Sequence, residues 1–358
     1  MRKAAIPLGV LGLVLMVAAG LMAWWITPSY IARTPSGYNK TRTYDGTFHS
    51  VLSPAALASG NLAAAIRTRV PGTITDNVKV QQTSGNTALV QDTRTVTASG
   101  SKIGSTVTHY AVNRQTLAAT KNHPGNWAVT PASGLTVSWP FGAKKQTYTG
   151  WVYQTNTTTK LTYAGQATQG GTNTYEYHAV VPPTRITNTQ LLASLPKSFP
   201  AALVPRLAAA GLITKAEVTG LGKAFPGAKT LPLGYIYRGN NTYWVSPATG
   251  LVVNVSINEI ETAGIALPGG KVVPLIPVLS DTFKASPASL SAAASDANNG
   301  SSTITIWGVA VPIAAAALGF LLIVAAILMW LRGRSRGRPV QVTEGERHPS
   351  PSPAGTRS

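Results

Sequence analysis

Two uncharged stretches near the ends of the chain set its architecture. Residues 6–26 read IPLGVLGLVLMVAAGLMAWWI, and residues 304–331 read ITIWGVAVPIAAAALGFLLIVAAILMWL. A helix of about 20 apolar residues crosses the hydrocarbon core of a bilayer, which is roughly 30 Å thick. Trp307 and Trp330 bracket the second stretch as the aromatic residues at the two faces of a membrane do. Both stretches are therefore predicted to be transmembrane helices.

Basic residues flank both stretches on the side of the chain terminus. Arg2 and Lys3 precede the first stretch, and the second is followed by Arg332, Arg334, Arg336 and Arg338. Short flanks rich in Lys and Arg stay in the cytoplasm. We therefore expect a plasma-membrane protein with cytoplasmic termini at residues 1–5 and 332–358. The bulk of the chain would be extracytoplasmic, and the polar tail over 332–358 is predicted to be disordered.

Two alternatives for these helices stay open. Residues 6–26 are also compatible with a cleaved secretory signal peptide, although the apolar region of such a peptide is normally shorter. Small residues recur four positions apart in both stretches, at Ala19 and Ala23 and at Ala315 and Gly319. Because small residues let helices approach closely, a homo-oligomer through these faces is a candidate assembly.

The composition of the 358-residue chain excludes several kinds of site. The chain has no cysteine, which rules out disulfides, thiolate metal sites and cysteine nucleophiles. Its 5 His and 11 acidic residues are dispersed. No nucleophile elbow, zinc-protease motif, P-loop or dinucleotide fingerprint occurs. We therefore predict no enzymatic activity, no catalytic residue, no cofactor and no metal site.

The segment between the two stretches is strongly basic. It carries 22 Lys and Arg against 9 Asp and Glu, a net charge of +13. The cations are dispersed, since Lys144-Lys145 is the one adjacent pair, and no basic motif interleaved with aromatic residues is present. We therefore expect no nucleic-acid partner. The candidate partners are the lipid membrane and a lipid or cell-wall polyanion ligand, and a merely solubilising surface is the alternative.

Residues 27–284 mostly show the alternation of β-strands. Thr- and Val-rich runs are separated by Gly, Asn and Pro turns, at residues 73–82, 88–98, 105–114, 146–154, 160–166, 174–181, 231–237, 242–245 and 251–261. These runs predict about a dozen strands in a large twisted antiparallel sheet, either a sandwich or an incomplete barrel. The fold class is therefore mainly β, flanked by two transmembrane α-helices.

Three segments depart from the strand pattern. Ser53 before Pro54 predicts the start of a short helix. Residues 189–226 form a predicted helical insert, in which Thr214 and Glu217 fit a capping box. The insert is interpreted as helices that cover the sheet, with a movable lid over a hydrophobic cavity as the alternative. Residues 285–303 are rich in Ala and Ser and are interpreted as a tether to the second span.

The few ionisable candidates for chemistry are interpreted as ordinary surface or packing residues. These are Glu259, Glu261 and the four external histidines, His49, His109, His123 and His178. Because Glu259 and Glu261 are two apart on a predicted strand, they share one face. That face is interpreted as solvated, and an acid–base pair or a cation site is the alternative.

Several aromatic and glycine residues occur in a familiar order. They are Trp139-Pro140, Tyr148, Gly150-Trp151, Tyr163-Ala164-Gly165, Gly170, Tyr175-Glu176-Tyr177 and residues 243–253, YWVSPATGLVV. With a span at each end, this order resembles the actinobacterial porin PorA-like family, over nearly the whole chain. The resemblance implies structural aromatic residues, a Pro-x-Thr-Gly hairpin turn and a channel. The family often has an acid after the tryptophans, where Val152 and Ser246 stand here, so no charged role carries over.

The sequence therefore favours a non-enzymatic cell-envelope protein. Its ectodomain, residues 27–284, is expected to bind or shuttle a hydrophobic or lipid-like ligand, or to act as an envelope scaffold. A porin-like channel is the alternative that the resemblance suggests. The predicted strands oppose a lipid-embedded barrel, because they are rich in Thr, Ser, Asn and Gln where such a barrel alternates apolar residues.

Overall fold

The computed structural model describes residues 2–53, 62–209, 211 and 213–335. The chain divides into two compact units, one made of residues 1–25 and 308–358 and the other of residues 26–307. The helix predicted after Ser53 and most of the predicted disordered tail fall on residues 54–61 and 336–358, which lie outside the described residues.

The described residues form both helices and long strands. The α-helices are α1 (Arg2–Leu21), α2 (Leu62–Ala65), α3 (Thr189–Ala193), α4 (Val204–Ala209), α5 (Lys215–Ala224), α6 (Pro287–Thr305) and α7 (Val311–Ser335). Met22–Ile31 and Ile306–Ala310 are π-helical, and Ala201–Leu203 is a 3₁₀ turn. The strands are β1 (Asn39–Leu52), β2 (Ile66–Arg67), β3 (Val70–Ser84), β4 (Thr87–Ala98), β5 (Ser101–Asn113), β6 (Tyr148–Val152), β7 (Thr157–Gln169), β8 (Thr172–Arg185), β9 (Ser198–Pro200), β10 (Thr230–Val245), β11 (Val252–Ala266) and β12 (Val272–Ala285).

The first unit contains two helices that are long and apolar enough to cross a membrane. They belong to the continuous helical stretches Ala4–Ile31 and Pro287–Arg332, whose 18-residue windows have mean hydropathies of 2.4 and 2.7, and the parts that lie in the first unit are α1 with residues 22–25 and α7 with residues 308–310. Their α1 and α7 segments touch at glycines, because a Cβ on Gly12 would lie 2.5 Å from the carbonyl oxygen of Gly319. Gly319 belongs to the small-residue pair predicted for the second span, and its contact here is with Gly12 of the same chain.

The strands of the second unit form one antiparallel sheet, as predicted. Ten strands follow the order β5-β4-β3-β1-β12-β11-β10-β8-β7-β6, while β2 pairs with β1 and β9 with β10. The sheet curls into a half-barrel, which confirms the incomplete barrel among the predicted forms. β1 and β12 were absent from the predicted strand runs.

The loop between β5 and β6 hydrogen-bonds to both edge strands of the sheet. The Thr120 amide donates to the carbonyl of Ala111 on β5 at 2.9 Å. On the other side, the Trp151 amide of β6 donates to the carbonyl of Leu135 at 2.8 Å. Ala119 and Gly134 join the two parts of the loop at 2.8 Å. The loop therefore links the edges of the half-barrel, and it covers backbone groups that an open edge would expose.

Alternating residues of the strands pack into a core on the concave side. Phe48 of β1 and Phe283 of β12 are fully buried, and their rings meet edge to face at 5.1 Å. Around them lie Val51, Val70, Ile74 and Val255. On the opposite side of the strands the residues are mostly polar and either half-buried or exposed, with Val107 and Val180 among the exposed apolar ones. This face of the half-barrel is therefore suited to water rather than to hydrocarbon.

The helical insert covers one end of β10 and β11. The capping box predicted for Thr214 and Glu217 is present at the start of α5. The apolar side chains of the insert, including Leu221, pack with Leu231 and Ile265 of the two strands. This packing corresponds to the predicted helices that cover the sheet.

Helix α6 occupies most of the stretch that was interpreted as a tether. Ser286 caps it by accepting a hydrogen bond from the Ser289 amide, and Pro287 stands in its first turn. Ala294 and Ala297 are buried against Val253 of β11. The small alanine side chains let the helix lie flat on the sheet, so the low-complexity composition here is that of a packed helix.

Candidate functional site

The concave face of the half-barrel encloses a polar cavity of about 260 Å³. Its charged lining residues come from four strands and are Lys40, Arg42, Asp76, Asp92, Arg94 and Glu259. Six tyrosines also line the cavity, at Tyr38, Tyr44, Tyr110, Tyr153, Tyr237 and Tyr243, together with threonine, serine and amide side chains. A charged interior is costly unless its groups are paired or neutralised. The arrangement of these charges is therefore the main feature of the site.

Glu259 and Glu261 lie inside this interior, so the prediction of a solvated face is wrong. Each is 7% exposed, as the shared face toward the concave side requires. Glu259 accepts hydrogen bonds from Asn241 at 3.0 Å and from Gln154 at 3.4 Å. The Arg94 guanidinium lies 4.0 Å from the same carboxylate. Two side-chain amides and a guanidinium therefore hold the Glu259 carboxylate in place in the cavity wall.

The neighbouring carboxyl groups are driven toward the protonated form. Burial, followed by the charge of Glu259, raises the pKa of Glu261 to about 7 and that of Asp281 to about 8. Burial, followed by the charge and hydrogen bond of Asp76, raises the pKa of Asp92 to about 9. Oδ1 of both Asp92 and Asp281 is buried without a hydrogen-bond partner. Neutral carboxyl groups at these positions make the interior less negative than its composition implies.

Arg94 is the cation that these acids share. Burial by itself lowers its pKa, but the negative charge of Glu259, followed by Tyr153 and Asp76, raises it above the usual value. Arg94 therefore stays charged in the middle of the half-barrel and balances the carboxylates that remain ionised.

A second, apolar cavity of about 310 Å³ adjoins the polar one. Its wall is mostly branched aliphatic and aromatic, with Val80, Val90, Leu117 and Phe141 among its members. Six residues line both cavities, namely Tyr38, Lys40, Val78, Val137, Ser138 and Leu251. The half-barrel therefore offers a polar compartment and an apolar compartment side by side. Neither cavity is lined by the helical insert, so the alternative of a lid does not apply to these two.

Helix α6 forms part of the apolar wall and carries a charge into it. Asp296 lines the apolar cavity, and its carboxylate binds Lys40 Nζ at 2.8 Å and Arg42 Nη2 at 2.6 Å. Burial opposes ionisation of Asp296, but hydrogen bonds from Lys40 and Arg42 hold its pKa below the usual value. The ion pairs therefore lie where the two cavities meet, and they connect α6 to β1.

The four histidines between the two apolar helices do not converge on these cavities. His178 contacts Glu176 at 2.7 Å on the exposed face of β8, and His49 contacts Thr282 at 3.1 Å. His123 stacks on Trp127 with centroids 6.2 Å apart, and His109 accepts a backbone hydrogen bond from Thr130 through its carbonyl. Within the described ranges, no group of three or more His, Asp or Glu could hold a metal ion.

Six of the aromatic residues that carried the family resemblance form one cluster. Trp139 lies 5.3 Å from Tyr177 and 5.2 Å from Tyr243, measured between ring centroids. Tyr148, Tyr163 and Tyr175 extend the cluster. Gly250 ends the hairpin turn with a φ of +71°, and its carbonyl accepts a hydrogen bond from the Trp139 amide at 3.1 Å. A side chain at Gly250 would collide with the Trp139 carbonyl, so the motif serves to dock the β5–β6 loop on β10 and β11.

The model of the family Porin PorA matches residues 4–328. The chain belongs to the Porin PorA family. This match spans both apolar helices and the whole half-barrel, so it supports a porin-like membrane protein. No curated protein matches the chain. For this Porin PorA protein, the resemblance based on the aromatic residues is therefore confirmed, and the cavities above are its candidate functional site.

The sequence did not indicate the charged residues of this Porin PorA site. Lys40, Arg42 and Arg94 were counted as dispersed surface cations, and Asp296 fell in the presumed tether. Lys40 and Arg42 are two residues apart on β1, as Asp92 and Arg94 are on β4. This spacing was the available indication of a shared site, because alternate positions of a strand share a face. Which of the two faces was buried could not be inferred, since both carry polar residues.

Proposed function

We propose that this Porin PorA protein binds an amphipathic, lipid-like molecule inside its half-barrel. The observation that carries the proposal is the pair of adjoining cavities with opposite character. The apolar one, at about 310 Å³, suits part of a hydrocarbon chain, and its volume lies at the low end of small-molecule sites, roughly 300–1,000 Å³. The polar one would hold the head of the same molecule among hydrogen-bonding and charged groups.

The chain positions of the apolar lining residues support a ligand that comes from a bilayer. Ile31 and Ile304 line the apolar cavity. Ile31 ends the first continuous apolar helix, and Ile304 lies within the second. Burial of a hydrocarbon chain contributes about 0.8 kcal/mol per CH₂ group, so even a partly enclosed acyl chain would supply useful affinity.

Native mass spectrometry of the full-length protein in detergent tests this function. A stoichiometric amphiphile is expected to remain bound after gel filtration. Val137 lines both cavities, and Val137→Trp should lower the bound fraction several-fold by filling the space. Val180 is 60% exposed on β8, so Val180→Trp is the matched control and should leave the bound fraction unchanged. Absence of any bound amphiphile, or equal occupancy in the two variants, would contradict the proposal.

A channel for hydrophilic solutes is the second candidate function, and the family description suggests it. The charged and tyrosine-rich polar cavity favours it, because such a lining accommodates water and solutes. The polar outer face of the strands means that conduction would require several copies or a partner to complete a path across the bilayer. Full-length protein in planar bilayers tests this candidate, and conductance no greater than that of empty micelles would oppose it. Either role would be non-enzymatic.

We also propose that the half-barrel lies outside the plasma membrane and that both termini are cytoplasmic. The basic flanks of both spans support this orientation. Since the chain has no cysteine, single-cysteine variants report it cleanly. In intact cells, an impermeant maleimide is expected to label Thr162→Cys, at an exposed position of β7, and to leave Ser350→Cys unlabelled until the cells are lysed. The reverse pattern would contradict the orientation.

A further inference from the structure

The ion pairs of Asp296 lie at the junction of the two cavities. Lys40 lines both cavities, Arg42 lines the polar one and Asp296 lines the apolar one. The distances to Asp296 are 2.8 Å from Lys40 and 2.6 Å from Arg42. A carboxylate in an apolar wall is unfavourable by itself, and the two cations compensate it. Lys40 and Arg42 thus place two charged donors side by side, an arrangement that binds an oxyanion through two hydrogen bonds.

Asp296 is the carboxylate that forms an ion pair with both cations in the described part of the chain. Asp76 lies opposite Arg42 on the neighbouring strand β3, and its Oδ1 is buried without a hydrogen-bond partner. The guanidinium of Arg94, the other cation of the polar cavity, lies 4.0 Å from the carboxylate of Glu259. Lys40 and Arg42 therefore converge on the carboxylate of Asp296, while a second acid, Asp76, lies beside Arg42. Displacement of the Asp296 carboxylate would leave both cations available to another oxyanion.

We propose that Lys40 and Arg42 bind the anionic head of the amphiphile, and that the Asp296 carboxylate occupies the place of this head until the ligand arrives. The inference rests on the function proposed above and assigns the class of its ligand as anionic. A molecule with its tail in the apolar cavity has its head at this junction, beside both cations. Its oxyanion then exchanges with the Asp296 carboxylate, which keeps Lys40 and Arg42 neutralised in both states.

The exchange requires only a movement of the Asp296 side chain. Helix α6 keeps its other attachments, since Ala294 and Ala297 stay buried against Val253. Thr172 also donates a hydrogen bond to Asn298 at 3.1 Å. Asp296 therefore acts as an internal competitor that selects ligands by charge, because a neutral head gains nothing from displacing it.

The test compares two lipids with the same fluorescent tail, a phosphatidic acid and a diacylglycerol, on the full-length protein in detergent. The wild type is expected to bind the phosphatidic acid more tightly. Asp296→Asn should strengthen phosphatidic acid binding about tenfold and leave diacylglycerol unaffected, because it removes the competitor. Lys40→Gln and the double variant with Arg42→Gln should lower phosphatidic acid binding toward the diacylglycerol level. Lys160→Gln, an exposed lysine of β7, is the matched control.

Each outcome separates this inference from the function on which it rests. Equal binding of both lipids in every variant would overturn the anionic head while the lipid-binding function stood. Failure of both lipids to bind would overturn the proposed function and this inference with it. Inorganic phosphate that binds as tightly as the phosphatidic acid would also overturn the inference, because the ligand would then be a free anion. Lys40→Gln alone provides the decisive comparison if the double variant does not fold.

Discussion

The buried carboxyl group of Glu261 makes the stability of the protein depend on pH. Burial, followed by the charge of Glu259, raises its pKa from 4.5 to about 7. The folded state therefore retains a proton that the unfolded state loses at lower pH. This stabilising contribution is complete below the unfolded pKa and disappears as the pH rises through about 7. The shift corresponds to about 3 kcal/mol of unfolding free energy.

Glu261→Gln removes this dependence while it keeps the shape of the protonated side chain. Thermal unfolding of the full-length protein in detergent, between about pH 4 and pH 8, measures the effect. The groups that face Glu261 are Glu259, Arg94 and Asp281, with Tyr153 and Tyr235 nearby. Burial also raises the pKa of Asp281, so the wild type and the variant should both lose stability at high pH.

The informative quantity is the difference between the two proteins. The wild type should lose about 3 kcal/mol more than Glu261→Gln over this range, or roughly 5–10 °C in Tm for a unit of this size. Asp45→Asn, which removes an exposed acid of β1, is the control for loss of a carboxylate at the surface. Parallel pH profiles for the wild type and Glu261→Gln would refute the buried, protonated carboxyl group.

Two further substitutions test the packing of each unit. Gly319→Ile should destabilise the helix pair by about 1–3 kcal/mol, because its Cβ would lie 2.5 Å from the Gly12 carbonyl oxygen. Gly20→Ile is its control, since nothing lies within 4 Å of a Cβ there, and equal Tm values would contradict the contact. Phe283→Ala should lower the stability of the half-barrel by about 3–5 kcal/mol in denaturant unfolding, through loss of its contact with Phe48. A loss below about 1 kcal/mol would mean that this core is loosely packed.

The regular part of the fold could be predicted because its signals are local. The two spans follow from uninterrupted apolar composition, and most strands follow from alternation with Gly, Asn and Pro turns. β1 escaped prediction because it carries charged residues on its buried face, at Lys40 and Arg42. β12 escaped because Pro274 and Pro277 interrupt its pattern, and both pair with β11 next to irregularities in the register.

The charged character of the interior could not be predicted, because it depends on which face the curved sheet encloses. Glu259 and Glu261 were correctly placed on one strand face, but alternation does not say which face the sheet encloses. The partners that make their burial tolerable, such as Arg94 on β4, are distant in sequence. Helix α6 was recognisable from the Ser286-Pro287 start, which is the same signal that was used at Ser53-Pro54. Its low-complexity composition nevertheless favoured a tether.

Photo-crosslinking with a lipid whose tail carries a diazirine tests the central claim most directly. The full-length protein in a bilayer is irradiated, and the modified peptides are mapped by mass spectrometry. Adducts on the two apolar helices are expected for any membrane protein. The account requires additional adducts on the walls of the apolar cavity, at Val80, Val90 or Leu117. Adducts confined to the helices, with none on these strand and loop residues, would contradict a lipid-like ligand inside the half-barrel.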